Sequence, residues 1–196
     1  MSASLASYVR TMPDWRAAWQ CSPTGFVAVS PLNGSRAVLA VGRVTQASSP
    51  DRAQDLAAAR DEMRSVLEDR ALVEGHDPTS LFHRVNATLS TTNAGRIDAL
   101  ALLTRAGDGV PPAIIGVGRP LPLVVTPDGL SARVEGTVAL GPGWAVVIGA
   151  PAPAPWPQTA LLSPDDVAAA VALFTKPSAP GTPIPRRTLL AVVIDG

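Results

Sequence analysis

Two histidines, one cysteine and sixteen acidic residues are what this 196-residue chain offers for metal or nucleophilic chemistry. His76 and His83 are seven apart, one at a predicted helix exit and one on the next helix. Neither has a neighbouring cysteine or a carboxylate cluster at ligand spacing, so they read as a loop residue and a surface or partly buried helix residue rather than as zinc ligands. Cys21 has no local motif to supply a base, and a buried strand thiol is the better reading. Eight of the sixteen acids fall between Asp51 and Asp77, on one predicted helix and its exit turn, where they form a solvated face. The stretches around Gly42 and Gly116–Gly118 lack the lysine or the helix context that a phosphate-cradling glycine loop requires.

The elements that would have to position any site follow from periodicity. Two short apolar runs, about Trp15 to Cys21 and Gly25 to Val29, precede Ala37 to Val44, whose β-branched and small residues predict a buried strand. Asn33-Gly34 is a hairpin signal, because both residues tolerate positive φ, and three antiparallel strands are the economical arrangement. A helix follows, capped by Ser48 or Ser49 with Pro50 at its first position and Gly75 at its exit. Its apolar stripe is Ala53, Leu56, Ala57, Met63, Val66 and Leu67. Asp77-Pro78 starts a second helix with Leu81, Phe82, Val85 and Leu89 facing inward, ending by Gly95.

From Ile97 the period returns to that of strands: IDALALLTR, AIIGVG, LPLVV, LSARVE and WAVVIGA, parted by turn residues, predict an antiparallel meander. A proline-rich connector from Pro151, a third helix starting at Ser163-Pro164-Asp165-Asp166, and the strand TLLAVVI complete the chain. This order predicts an α+β fold: two antiparallel sheets packed face to face with helices outside, as one domain over residues 1–196. At 46% hydrophobic and 16% charged residues the chain reads as a compact globule. A formal net charge of zero provides no global field for nucleic acid or a membrane, and 4% aromatic content provides no stacking platform for bases. A lone cysteine, no signal-peptide core and no apolar stretch long enough to span a bilayer together predict a cytoplasmic protein.

Several segments, in order and at matching spacing from about Trp15 to Ile194, resemble the PPM-type (type 2C) protein phosphatases, above all their stage II sporulation protein E-like branch. TGFVAVSPLNG, Thr24 to Gly34, is similar to that branch's G-D-F-Y-D stretch, which precedes F-P-L and a turn. GRVTQAS, Gly42 to Ser48, is similar to its G-D-V-S-G-H-G. IGVGRPLPL, from Ile115, is similar to V-N-A-G-H-P-P-P-L; VALGPGW, from Val138, to the L-P-L-G and P-G-D segments; and PRRTLLAVV, from Pro185, to the terminal D-D-x-T-L-L strand. The resemblance implies a four-layer sandwich of two antiparallel sheets flanked by helices. In that family the strand-end aspartates hold two metal ions that activate water for attack on a phosphate ester.

Carried over position by position, those acids are missing. Gly25 and Ala28 stand in the first stretch, and Arg43 in the second, followed by Gln46, Ala47 and Ser48. Ala150-Pro151 stand for T-D-G, and Pro185 and Arg186 for the last aspartates. Hard divalent cations need clustered oxygen ligands, and an arginine repels them. The resemblance therefore implies a pseudophosphatase with no metal, no cofactor and no catalytic residues. It would act as a regulatory or protein-binding module in bacterial signalling, with another protein, in phosphorylated form, as its partner. The alternative is a divergent serine/threonine phosphatase with a non-standard metal site; a third class is a homo-oligomer assembling through a sheet edge or the proline-rich loops. The candidate anion or partner site is Arg43, Gln46, Arg119 and Arg186, which the resemblance brings towards one end of the sandwich. Against it stands the favoured reading that these arginines are solvated strand-end residues or pair with Asp98 or Asp51.

Overall fold

The computed structural model describes residues 7–12, 15–22, 24–32, 36–45, 52–69, 77–104, 111–119, 121–128, 130–149 and 188–194. Among them the chain forms β1 (Ser7–Met12), β2 (Trp15–Gln20), β3 (Gly25–Pro31), β4 (Arg36–Val44), α1 (Arg52–Glu68), α2 (Pro78–Thr92), β5 (Gly95–Thr104) and β6 (Ala113–Gly118). Then come β7 (Leu123–Val125), β8 (Ser131–Arg133), β9 (Thr137–Ala139), β10 (Ala145–Ile148) and β11 (Leu189–Ile194). All pairings are antiparallel, in a six-stranded sheet of order β1-β2-β11-β10-β7-β8 and a five-stranded sheet of order β3-β4-β5-β6-β9.

Strict alternation along the strands explains why two sheets can share one core. In β4, Ala37, Leu39 and Val41 point to the interior between the sheets, while Val38 and Ala40 point to the helices. In β10 and β11, Val146, Ile148, Leu190, Val192 and Ile194 close that interior from the other side. The helices cover the five-stranded sheet. Met63, Val66 and Leu67 of α1 and Leu81, Val85 and Leu89 of α2 are buried against Phe26, Ala28, Leu100 and Leu102. No helix among the described residues is long and apolar enough to cross a membrane.

The α+β class, the two antiparallel sheets and both helices match expectation; the route of the chain does not. β2 and β3 were expected as neighbours in one three-stranded unit, but they lie in different sheets. β2 pairs with β11, from Trp15↔Ile194 to Gln20↔Leu189, and with the unforeseen β1. Placing β2 and β3 in facing sheets lets Trp15 and Ala17 share the interior with Val29, which a single sheet would leave one-sided. The expected meander after Ile97 likewise splits. β6 stays with β5 and is joined by the unforeseen three-residue β9, whereas β7, β8 and β10 cross to the other sheet. On α1, Ala57 is exposed rather than part of the stripe, and Ala59 packs inward instead. The Asn33-Gly34 turn, the Ser48 to Pro50 cap, the Gly75 exit, His76 and the third helix from Ser163 lie outside the described residues. The hairpin that Asn33-Gly34 signalled is nonetheless present, with β3 and β4 paired from Gly25↔Arg43 to Pro31↔Ala37.

Candidate functional site

One irregularity shapes the end of the five-stranded sheet. Between Val41 and Gly42 the register slips, so that Val41 faces Ala99 and Gly42 faces Ile97, leaving Asp98 as the extra residue of a β-bulge. The bulge inverts the parity of β5. Ile97 is buried with the helices while Ala99 points between the sheets, although two residues apart they would share a face in a regular strand. The carbonyl of Asp98, displaced from the ladder, accepts the main-chain N–H of Arg119 at 3.0 Å. That close approach needs Gly118, whose φ is +133° and whose absent Cβ would lie 2.4 Å from the Cα of Ala99.

The bulge aims the Asp98 carboxylate at two arginines. Arg43, at the end of β4, donates from Nε to Oδ2 at 2.9 Å and from Nη2 to Oδ1 at 3.1 Å. Arg96, two residues before Asp98, donates from Nε to Oδ1 at 3.1 Å. The arginine side chains are 55% and 64% exposed and that of Asp98 25%, so the pairs are solvent-screened despite the forked geometry.

These residues line a cleft of about 800 Å³ that also takes in Arg119, Phe82 and His83 of α2, and Ser22 and Thr188 at its far side. Asn86 fixes α2 against the cleft floor as a substitute strand partner. Its Nδ2 donates to the carbonyl of Ile97 at 3.1 Å and its Oδ1 accepts the N–H of Ile97 at 2.8 Å. Phe82 and His83 meet edge to face, with ring centroids 5.8 Å apart.

At the Ser22 side, Gly25 begins β3 in a crowded corner. Its N–H donates to the Ser22 carbonyl at 2.9 Å, and the hydroxyls of Ser22 and Thr188 lie 3.2 Å apart. A Cβ on Gly25 would fall 1.9 Å from the Thr188 hydroxyl oxygen and 2.9 Å from the Ser22 nitrogen. The Gly25 carbonyl accepts Nε of Arg60 on α1 at 3.2 Å. Half-buried Cys21 sits nearby; burial pushes its thiol above the ordinary cysteine value, and the positive charge of Arg60 partly opposes that rise. Among the described residues no group of three or more His, Cys, Asp or Glu could hold a metal ion.

Of the four residues expected at an anion or partner site, Arg43 and Arg119 line the same cleft, while Gln46 and Arg186 lie outside the described residues. Arg43 also makes the ion pair with Asp98 that the plainer reading expected. Arg96 and Asn86 were missed. Arg60 was missed too, though its spacing is informative: Leu56, Arg60, Met63 and Leu67 follow one helical stripe, so an arginine there must reach inward. His83 is exposed on α2, as expected of a surface residue.

With sheets, helices and cleft in place, the fold is that of the PP2C phosphatase domains. No family model matches the chain and no curated protein is similar to it in sequence. Its likeness to solved structures spans nearly the whole chain. RsbX, in complex with magnesium, is 14% identical with a TM-score of 0.58, covering 97% of this chain and 100% of that one. The SiaA-PP2C domain of Pseudomonas aeruginosa is 12% identical with a TM-score of 0.59, covering 93% and 86%. The PP2C phosphatase domain of the cell fate determinant SpoIIE from Bacillus subtilis, with a fragment of its regulatory domain, is 13% identical with a TM-score of 0.57, covering 98% and 71%. At such identities the likeness establishes the fold, and the chemistry has to be read from this chain's own residues.

Proposed function

We propose that residues 1–196 form one phosphatase-like domain that does not run the metallophosphatase reaction and acts as a regulatory or protein-binding module, in bacterial signalling of the kind suggested by the SpoIIE likeness. The observation that carries this reading is the chemistry of the strand ends where the family resemblance places metal ligands. Gly25 and Arg43 face each other across β3 and β4, one without room for a side chain and the other a cation. Ala28 is buried beneath the helices, and the Gly25 carbonyl is hydrogen-bonded to the Arg60 guanidinium. A magnesium ion, such as the one in the RsbX complex, needs several oxygen donors gathered at one point. The described residues lining the cleft present a single carboxylate, Asp98, already held by two arginines, so they do not fit that ion. Ala150, Pro151, Pro185 and Arg186, also without carboxylates, lie outside the described residues.

Calorimetric titration with manganese and magnesium, alongside hydrolysis of p-nitrophenyl phosphate, tests the reading. The expected result is no heat at micromolar metal and no metal-dependent turnover. Micromolar manganese binding together with turnover that Asp98→Asn abolishes would replace it with a divergent phosphatase.

A further inference from the structure

The cleft holds more positive than negative charge. Arg43, Arg96 and Arg119 line it, with Asp98 as the one carboxylate among its lining residues. Arg119 is exposed and its side chain joins no salt bridge among the described residues. A guanidinium edge presenting Nε and Nη2 matches a carboxylate and a phosphate equally well, because both offer two oxygens at similar spacing. The geometry that now grips Asp98 is therefore one that a phosphate group could take over.

We infer that the Arg43–Asp98–Arg96 cluster is an oxyanion site occupied by the protein's own carboxylate: its ligand is a phosphate monoester, and Asp98 is the internal competitor that this ligand displaces. This rests on reading the domain as a binding module. Three features support it. The competitor is displaceable, since an exposed pair of this kind contributes only about 0–1 kcal/mol. The bulge holds the Asp98 main chain through the Arg119 N–H bond, so the side chain can swing away without unravelling β5. The charge also fits: three guanidiniums and one carboxylate leave the cleft lining with a positive excess, and a monoester carrying about −1.5 to −2 near neutral pH offsets most of it. The remaining cleft, walled by Phe82 and His83, has room for whatever bears the phosphate.

Phosphorus-31 NMR titrations test this with inorganic phosphate, a short phosphoserine peptide and glucose 6-phosphate, on wild-type protein and on the Asp98→Asn, Arg43→Ala and Arg96→Ala variants. Arg64→Ala on α1, whose partner is Asp61, serves as a control. Asp98→Asn should tighten phosphate binding severalfold, up to about fivefold for a competitor worth about 1 kcal/mol, and each arginine variant should weaken it by about tenfold. Preference among the three ligands tells whether a peptide or a small metabolite carries the phosphate. Unchanged or weaker binding by Asp98→Asn would overturn the inference, because Asp98 would then be positioning the arginines rather than competing for them. Arginine variants that bind like wild type, or no binding by any form at about 10 mM phosphate, where a site of about 1 mM affinity would be mostly filled, would overturn it too.

Should Asp98→Asn fail to fold, competition is read on the wild-type protein. Phosphate must shift the Nε signals of Arg43 and Arg96 and the carboxyl carbon of Asp98 together; arginine shifts with a silent Asp98 would reject the competitor. Release of inorganic phosphate from the peptide in the presence of manganese would instead reject the non-catalytic reading, while the order of affinities would still decide the role of Asp98.

Discussion

At the scale of single residues, Gly25 decides whether the strand end at which the family resemblance places an acid has room for one. The position is filled rather than merely substituted, because the hydroxyls of Ser22 and Thr188 occupy the volume in which a side chain would start. Placing an acid there should therefore fail. Gly25→Asp is expected to cost about 1–3 kcal/mol from overpacking alone, with a further penalty for desolvating the new carboxylate. In a domain of this size each kcal/mol lowers the melting temperature by about 2–4 °C. Combining it with Thr188→Ala should recover part of the loss, because the closest contact is then gone while those to Ser22 remain. Thermal unfolding of the two single variants and the double variant measures this cycle. A Gly25→Asp protein as stable as wild type would mean that the corner opens readily, and would return the strand end to the list of usable ligand positions.

At the scale of elements, α2 forms the cleft wall, and its ends are well specified. Pro78 opens it, and Asp77 accepts the N–H groups of Thr79 and Ser80 at 3.0 and 3.1 Å, with a further bond from the Ser80 hydroxyl. Asn93 closes it at φ +54°, a left-handed conformation that asparagine tolerates. The Ser80 hydroxyl first, then the main-chain N–H groups, hold the Asp77 carboxyl below its ordinary value. A depressed folded-state pKa stabilises the fold above the unfolded-state pKa, and this is lost as pH falls through the folded-state value. Asp77→Ala should accordingly lower the melting temperature at pH 7, with the gap to wild type shrinking below about pH 4. A gap independent of pH would show that the carboxylate charge contributes nothing. The same helix shows what was legible beforehand. Its start, its inward residues and its end follow from capping chemistry and a 3.6-residue period, which act within a few residues along the chain. Asn86, which takes the place of a strand partner for Ile97, was not legible, because its role exists only once β5 has bulged. The bulge itself left no local mark: Ile97, Ala99, Ala101 and Leu103 read as one regular face.

At the scale of the whole molecule, local pattern identified the described strands except β1 and β9, but not how they divide between sheets. Pairings such as β2 with β11 join residues from opposite ends of the chain and are chosen by the shared core, not by any neighbouring turn. Part of the candidate site was also visible beforehand. Arg43 and Arg119 were named through the family resemblance, whereas Arg96 and Asp98 become site residues only through the bulge. With a formal net charge of zero, attraction for an anion cannot come from the molecule's overall field and must arise in the cleft. Linkage turns that into a measurement on the intact fold, since a ligand that binds only the native state raises stability by RT ln(1 + [L]/Kd), about 2.7 kcal/mol at a hundredfold excess over Kd. A micromolar metal site would thus raise the melting temperature by roughly 5–10 °C at a hundredfold excess of manganese. The expected outcome is no shift with manganese and a rise with phosphate that Arg43→Ala removes. It follows because the strand ends present guanidinium groups to whatever enters: a divalent cation meets repulsion there, and a phosphate meets forks already set at carboxylate spacing. A manganese-induced rise with no response to phosphate would invert the assignment, making the cleft a cation site despite its arginines.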